Sequence, residues 1–214
     1  MKTLMNFDQI NRLGSKEQKI KNTCAQIIEK HIRDCYIQSW ITEAEELEDL
    51  FGVELPIAFL KRLAKIKKHG PDRKLLKEAN EYSRKVKKTV PRSIKNAFDT
   101  YAIQMRDIER SDVPKQEKQM LKKWRTGVHG ESGIGYRLNT TLRTESNAAV
   151  NLASISVYEA ADIEKYRCVE VLDDRTCGFC HSINGKVFRV SEAVPGVNLS
   201  PFHPHCRGFT EPVL

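Results

Sequence analysis

The sequence has few aromatic residues, no long apolar run and no glycine-rich phosphate-binding loop. Aromatic side chains make up 7% of its 214 residues, whereas charged side chains make up 30%. No apolar stretch approaches the roughly 20 residues that a membrane-spanning helix needs. The first residues mix polar and apolar side chains and do not resemble a secretory signal. We therefore expect a chain kept in a reducing cytoplasm, where clustered cysteines favour metal over disulfides.

The positive charge lies entirely in the first two thirds of the chain. The whole chain has 36 basic and 28 acidic residues, a net charge of +8. Seven basic and nine acidic residues lie from Arg143 onward, so residues 1–142 carry 29 and 19, a net charge of +10. Such a segment fits contact with nucleic acid, an anionic surface or an acidic partner, but also a solvated lysine-rich helix face. The basic residues predicted to contact DNA or a protein partner are Lys61, Arg62, Lys65, Lys67, Lys68, Arg84, Lys85, Lys87 and Lys88.

Apolar residues recur at helical spacing through most of this basic segment. The spacing predicts a long helix over 15–50 and a shorter one that has Ile57 on its apolar side. A third segment over 72–108 contains Pro91, which either begins a new helix or kinks a continuous one. Pro114 is expected to begin the next helix. The N-terminal part of the chain is therefore predicted to consist of long helices.

Four glycines between Gly127 and Gly135 mark the best candidate for a hinge. They lack the preceding strand and the following lysine of a phosphate-binding loop. We place the hinge at residues 128–135. It separates a basic helical region over residues 1–127 from a C-terminal module over residues 136–214.

The C-terminal module begins with a helical pattern and then changes to alternation. Residues 136–160 have the spacing of one helix. Alternating residues from Lys165, and again over 186–190, predict two strands. The pair Asn184-Gly185 predicts the turn before the second strand.

Two pairs of potential metal ligands near the C-terminal end follow the pattern Cys-x2-Cys-x22-His-x2-Cys. A Cys3His set closes a tetrahedral structural zinc site, so this spacing predicts a structural Zn²⁺ ion. The predicted ligands are Cys177, Cys180, His203 and Cys206. His181 and His205 are alternatives for the histidine position. The competing interpretation is a set of ordinary cysteines around a small core, which is also the interpretation for Cys24, Cys35 and Cys168.

The predicted fold is mainly α, with long N-terminal helices followed by a small α+β module that contains a zinc-clasped hairpin region. An alternative function is a zinc-dependent enzyme or toxin, deaminase-like or hydrolytic, which would need an open coordination position. His129-Gly-Glu131 before Cys177-x-x-Cys180 superficially resembles a zinc deaminase. The match is poor, because Thr176 stands where such enzymes have proline and His129 lies in the glycine-rich segment.

Several motifs follow one another in the C-terminal half. They are Arg143-Thr144-Glu145 and Tyr158 on the predicted helix, Asp173-x-Arg175-Thr176-Cys177-x-x-Cys180, Asn184-Gly185-Lys186, and Pro201-x-His203-Pro204-x-Cys206-Arg207. In this order they resemble the phage Mu F-like minor head protein family, also called the phage head morphogenesis domain. The resemblance covers about residues 110–210.

The resemblance implies a non-enzymatic minor capsid or head morphogenesis protein of a tailed phage or prophage. Such a protein is associated with the portal and the head interior, and acts in procapsid assembly and in DNA packaging or ejection. Its implied partners are the portal and the scaffold or major capsid protein, without a membrane or a small-molecule substrate. It is implied to be in the host cytoplasm during assembly and then inside the virion.

Two sets of residues carry over from the family position by position. The first is the metal set, which is the same as the four ligands predicted from spacing. The second is a polar signature of Arg143, Glu145, Asp173 and Arg175. The chain departs from the family at Gly208, where a second cysteine often follows the arginine, which leaves His203 as the better fourth ligand.

The family context suggests a use for the basic helices. Inside a head filled with DNA, a segment with a net charge of +10 could bind phosphates of double-stranded DNA without reading bases. Contact with the portal or scaffold is the competing use. The acidic stretch from Glu43 to Asp49 keeps that alternative open.

Overall fold

The protein is mainly helical, with a small three-stranded antiparallel sheet at its C-terminal end. The computed structural model describes residues 17–126 and 133–213. Within these residues the elements are α1 (Glu17–Phe51), α2 (Ile57–His69), α3 (Arg73–Arg110), α4 (Lys115–Thr126), α5 (Ile134–Ala160), β1 (Lys165–Val169), α6 (Gly178–Ile183), β2 (Val187–Arg189) and β3 (Phe209–Val213). The predicted fold class is confirmed. Among the helices in the described residues, none has the length and apolar composition of a membrane-spanning segment.

The described residues form two compact units that do not follow the order of the chain. The first unit takes its described residues from 17–30 and from Arg84–Leu142. The second takes them from His31–Ser83 and from 143–213. Helices α1, α3 and α5 each contribute residues to both units, so the boundary between the units falls within these three helices. Residues 127–132 of the glycine-rich segment lie outside the described residues, and the division at 128–135 stays a prediction.

Helix α3 passes through Pro91 without ending, so the continuous helix is the observed one of the two alternatives. A proline in a helix interior removes one backbone hydrogen bond and normally breaks or kinks the helix. Val90 and Ile94, on either side of Pro91, are buried in the first unit. Packing of this apolar face offsets the free-energy cost of the backbone hydrogen bond that is lost at Pro91.

Helix α2 does not bury Ile57, which the spacing placed on its apolar side. Phe59, Leu63 and Ile66 are buried, whereas Ile57 is 70% exposed. Ile57 lies two residues before Phe59, about 200° around the helix axis. The prediction for Ile57 was wrong because the buried residues follow an i, i+4, i+7 spacing that begins at Phe59.

Trp40 is fully buried in the core of the second unit. Its ring centroid lies 6.3 Å from that of Phe59. The Arg62 guanidinium lies 4.6 Å from the Trp40 ring centroid. Arg62 also donates to the Asp72 carboxylate at 2.6 Å. The guanidinium therefore covers the aromatic core while its charge is neutralised.

The sheet has the strand order β2-β1-β3, with both neighbours antiparallel to β1. Tyr166 at the centre of β1 is opposite Phe188 and Pro212. Its ring is fully buried, and its hydroxyl donates to the Asn198 carbonyl at 3.0 Å. β3 was not predicted from the sequence. It contains Pro212, a residue found in strands mainly at sheet edges, and β3 is an edge strand.

A buried hydrogen-bond network attaches α5 to α1 and to β3. The Tyr158 hydroxyl lies 2.8 Å from Glu43 Oε1 and 3.1 Å from the Thr210 carbonyl oxygen. Ser154 Oγ donates to Glu43 Oε2 at 2.8 Å. One hydroxyl hydrogen cannot serve two acceptors, so the network is complete when Glu43 carries a proton and donates to Tyr158. Burial raises the pKa of Glu43, in the direction that this arrangement requires.

Candidate metal centre

The loop after β1 places two cysteines at the start of a short helix. Thr176 Oγ1 accepts a hydrogen bond from the Asp173 amide at 2.9 Å, which closes a tight turn before Cys177. Cys177 caps α6, and its Sγ accepts from the Cys180 amide at 3.4 Å. One helical turn later Cys180 points inward and is buried. The Cys-x-x-Cys spacing thus brings the sulfur atoms of one exposed and one buried cysteine close to each other.

Two groups of potential ligands share Cys180. Cys177, Cys180 and His203 form one group, and Glu170, Cys180 and Cys206 form the other. In each group the potential ligand atoms lie within 4.8 Å of one another. Cys180 Sγ is 3.2 Å from His203 Nε2 and 3.9 Å from Cys206 Sγ. These five residues, which we call the ligand cluster, include all four predicted ligands and could hold a metal ion.

His203 is oriented as a ligand histidine would be. Its Nδ1 lies 2.8 Å from the Pro204 carbonyl oxygen, a contact in which the ring nitrogen donates. In the neutral ring such an outer hydrogen bond places the proton on Nδ1, so that the lone pair of Nε2 faces Cys180 Sγ. His205 belongs to neither group, and its backbone amide donates to Thr144 Oγ1 at 3.2 Å. His181 is exposed on α6 and also belongs to neither group.

The two thiols of the Cys-x-x-Cys pair have opposite pKa shifts. The amide of Cys180 donates to Cys177 Sγ and holds the pKa of the Cys177 thiol below its ordinary value. Burial raises the pKa of the Cys180 thiol. A metal binds the thiolate form, so binding at neutral pH would displace the Cys180 proton.

Glu170 is the member of the ligand cluster that sequence reasoning missed. It is buried, and its amide donates to Asn184 Oδ1 at 2.9 Å. Burial raises the pKa of its carboxyl group. A Cβ atom at Gly208 would overlap Glu170 Oε1, so the glycine leaves the space that the carboxylate fills. The alternation of Tyr166 and Cys168 in β1 continues to Glu170, one residue after the strand, and already places Glu170 on the buried side.

Two of the four signature residues lie beside the ligand cluster. Asp173 accepts two hydrogen bonds from Arg207, from Nη1 at 2.7 Å and from Nη2 at 2.5 Å. Arg175 Nη2 lies 3.3 Å from the same carboxylate. The bidentate Arg207 contact holds the pKa of Asp173 well below its usual range. This pair joins the loop before Cys177 to the segment after Cys206.

The other two signature residues do not join this pair. The Glu145 carboxylate faces Tyr82, whose hydroxyl donates to its Oε2 at 3.4 Å, and burial raises the pKa of Glu145. Arg143 is exposed. Burial, followed by the positive charge of Arg143, lowers the pKa of His205. The polar signature is thus distributed over three places, and its common role stays a prediction.

Two asparagines of α5 hold the segment that follows Cys206. Asn147 Nδ2 and Asn151 Nδ2 donate to the Gly208 carbonyl at 3.0 and 3.1 Å. Asn147 Oδ1 accepts from Ser200 Oγ at 3.1 Å, and Ser200 Oγ lies 3.2 Å from Cys206 Sγ. The helix therefore positions both the backbone at Gly208 and the neighbourhood of Cys206.

The predicted basic contact residues are divided between the two units. Arg62 pairs with Asp72 and Lys67 pairs with Glu48 in the second unit. Lys87 lies 3.6 Å from Glu29 in the first unit. The other six are exposed: Lys61, Lys65, Lys68, Arg84, Lys85 and Lys88. Their use in binding DNA or protein stays a prediction.

The deaminase-like alternative depends on His129 and Glu131, which lie outside the described residues. The pattern that would place a catalytic glutamate beside a metal-bound water is therefore not tested by the structure.

Comparison with known proteins gives one match. The sequence profile of the family described as Phage Mu protein F like protein matches residues 85–210, more than half of the chain. No curated protein and no solved structure matches the chain. The matched stretch contains the whole ligand cluster and the Asp173–Arg207 pair, and it confirms the resemblance inferred from the ordered motifs. The chain belongs to the phage Mu protein F-like family.

Proposed function

We propose that this phage head morphogenesis protein is a portal-associated minor component of the head interior, and that a zinc ion clasps its C-terminal module. The single observation that carries the proposal is the family match over residues 85–210, which spans both ligand pairs. Procapsid assembly and DNA packaging or ejection are the steps in which such a component acts. The portal and the scaffold or major capsid protein are its proposed partners.

The chemistry of the ligand cluster supports a structural ion. Three cysteines, a histidine and a glutamate converge, and three of these residues are buried. A catalytic zinc ion keeps one position open for water or substrate, whereas a structural ion is closed by four protein ligands. Five converging donors are enough to close the site. Zinc fits thiolate and imidazole ligands and contributes folding free energy to small modules that have little core of their own.

The proposed location predicts where the protein is found in infected or induced cells. We expect purified procapsids and mature heads of the encoding phage to contain the chain, and separated tails to lack it. Heads assembled without portal protein should lack the chain, because the portal is its proposed attachment point. Quantitative immunoblotting of gradient-purified fractions measures this. Recovery only from the soluble lysate, or equal amounts in heads with and without portal, would contradict the proposal.

The basic helices are proposed to contact packaged DNA without sequence preference. We expect the full chain to bind random-sequence duplex DNA, with an affinity that falls as salt is raised because released counterions drive binding. Combined substitution of Arg84, Lys85 and Lys88 by glutamine should lower the salt slope by about one for each residue that contacts a phosphate. Fluorescence anisotropy over a range of salt concentrations measures the slope.

A matched variant removes the same charge from the other unit. Substitution of Lys61, Lys65 and Lys68 by glutamine also removes three positive charges from exposed helix positions. If one triple variant lowers the salt slope more than the other, the unit that contains its three residues makes the DNA contact. If the unmodified chain has no salt-sensitive affinity for DNA, the basic segment is instead a protein-binding element.

A further inference from the structure

The Glu170 carboxyl group is buried without a cation bonded to it. Only 7% of the residue is exposed, and Oε1 has no hydrogen-bond partner in the part of the chain that the structure describes. Arg207 is close enough to influence it electrostatically, but both of its terminal nitrogens donate to Asp173. A buried carboxylate is costly unless it is paired or coordinates a metal. Oε1 therefore lacks a partner, and the Cys206 thiol, 3.9 Å from Oε2, is only a weak donor to the other oxygen.

The atoms around Glu170 belong to side chains that could themselves bind a metal ion. Glu170 Oε2 lies 3.9 Å from Cys206 Sγ, and Cys206 Sγ lies 3.9 Å from Cys180 Sγ. A tetrahedral zinc ion with sulfur ligands at about 2.3 Å holds two sulfurs about 3.8 Å apart. The spacing of the two buried thiols already matches one edge of such a tetrahedron. Glu170 lies next to that edge.

Gly208 is needed for this placement. A Cβ atom on residue 208 would lie 2.6 Å from Glu170 Cδ and 2.7 Å from Oε2, closer than non-bonded atoms approach. The Gly208 carbonyl is held by Asn147 and Asn151, so the backbone at residue 208 is fixed against α5. The carboxylate thus occupies a space that any larger residue would remove.

We propose that Glu170 is a direct ligand of the metal ion and that the ion is bound by Glu170, Cys180, His203 and Cys206. This inference rests on the proposed zinc site and changes its ligand set. Cys177 is then the donor that is not required. Its sulfur is exposed, and water and the Cys180 amide can stabilise its thiolate without a metal. Glu170, by contrast, is only 7% exposed.

X-ray absorption spectroscopy of the zinc-loaded full chain tests the proposal, because sulfur at about 2.3 Å is distinguishable from nitrogen or oxygen at about 2.0–2.2 Å. We expect two sulfur and two light ligands per zinc ion. Cys177→Ser should keep one zinc per chain and the same two-to-two ratio. Glu170→Gln should weaken zinc binding by more than the roughly 10–100-fold that loss of an outer hydrogen-bond partner costs.

Gly208→Ala is a second variant, and it changes none of the five residues of the ligand cluster. Its added methyl group should displace the carboxylate, weaken zinc binding, and change the ratio towards three sulfurs and one nitrogen as Cys177 replaces Glu170. A three-to-one ratio in the unmodified chain, or loss of zinc in Cys177→Ser with normal binding in Glu170→Gln, would overturn the proposal. Absence of zinc from the unmodified chain would instead contradict the proposed zinc site itself.

Discussion

Cys180→Ser is expected to abolish stoichiometric zinc binding and to destabilise the predicted C-terminal module, residues 136–214. Cys180 belongs to both groups of the ligand cluster, so its sulfur is required whichever of the other donors complete the site. Structural zinc sites in small modules have apparent binding free energies of about 10–16 kcal/mol at neutral pH. Loss of the ion should therefore cost more than any single packing change. Zinc content and protease resistance of the module are the measurements.

Cys168→Ser is the matched control for this substitution. Cys168 is also buried, and its Sγ donates to the Asn198 carbonyl at 3.1 Å, a contact that a serine hydroxyl can keep. It lies on β1 and belongs to neither ligand group. Cys168→Ser should retain zinc at the level of the unmodified chain. Equal loss of zinc in both variants would mean that the module is merely unfolded, and full zinc in Cys180→Ser would exclude the ligand cluster as the binding site.

Tyr158→Phe is expected to lower the free energy of unfolding by about 1–3 kcal/mol, the cost of leaving a buried polar group without its partner. Tyr158 is fully buried on α5, and its hydroxyl bridges Glu43 on α1 and the Thr210 carbonyl on β3. Phenylalanine keeps the ring packing and removes only the hydroxyl. Urea unfolding followed by circular dichroism measures the change.

Glu43→Gln is the companion variant, and its effect depends on pH. The folded-state pKa of Glu43 is raised by burial, so its protonated form stabilises the fold at low pH. This stability is lost as pH rises through the raised pKa, because the unfolded chain releases the proton more readily. A glutamine side chain can donate and accept hydrogen bonds but does not ionise. The free energy of unfolding of Glu43→Gln should therefore not show this loss as pH rises. If Tyr158→Phe and Glu43→Gln are additive in the double variant, the two side chains do not share one network.

The parts of the site that depend on sequence spacing could be predicted, and those that depend on tertiary packing could not. Cys-x-x-Cys requires only one turn of chain to bring two sulfurs together, and it does so at α6. Glu170 was missed because an acidic residue at a strand end normally faces solvent, although the alternation of Tyr166 and Cys168 in β1 extends to it. Its burial depends on Gly208, which lies close to it only in the folded sheet.

The fold shows the same division between local and distant determinants. Long amphipathic helices were predictable from their spacing, but the continuity of α3 through Pro91 depends on how Val90 and Ile94 pack. β3 is a short edge strand that is specified by pairing with β1 more than by its own residues. The composition of the two compact units was also beyond sequence reasoning, because α1, α3 and α5 each belong to both.

The zinc content of the purified full chain tests the proposal that the ligand cluster holds a structural metal ion, which clasps the predicted C-terminal module. Elemental analysis of protein expressed without added metal should give one zinc per chain, and exhaustive chelation should make the C-terminal module sensitive to protease. A chain that contains no zinc, takes none up at neutral pH and keeps a protease-resistant C-terminal module would contradict the proposal.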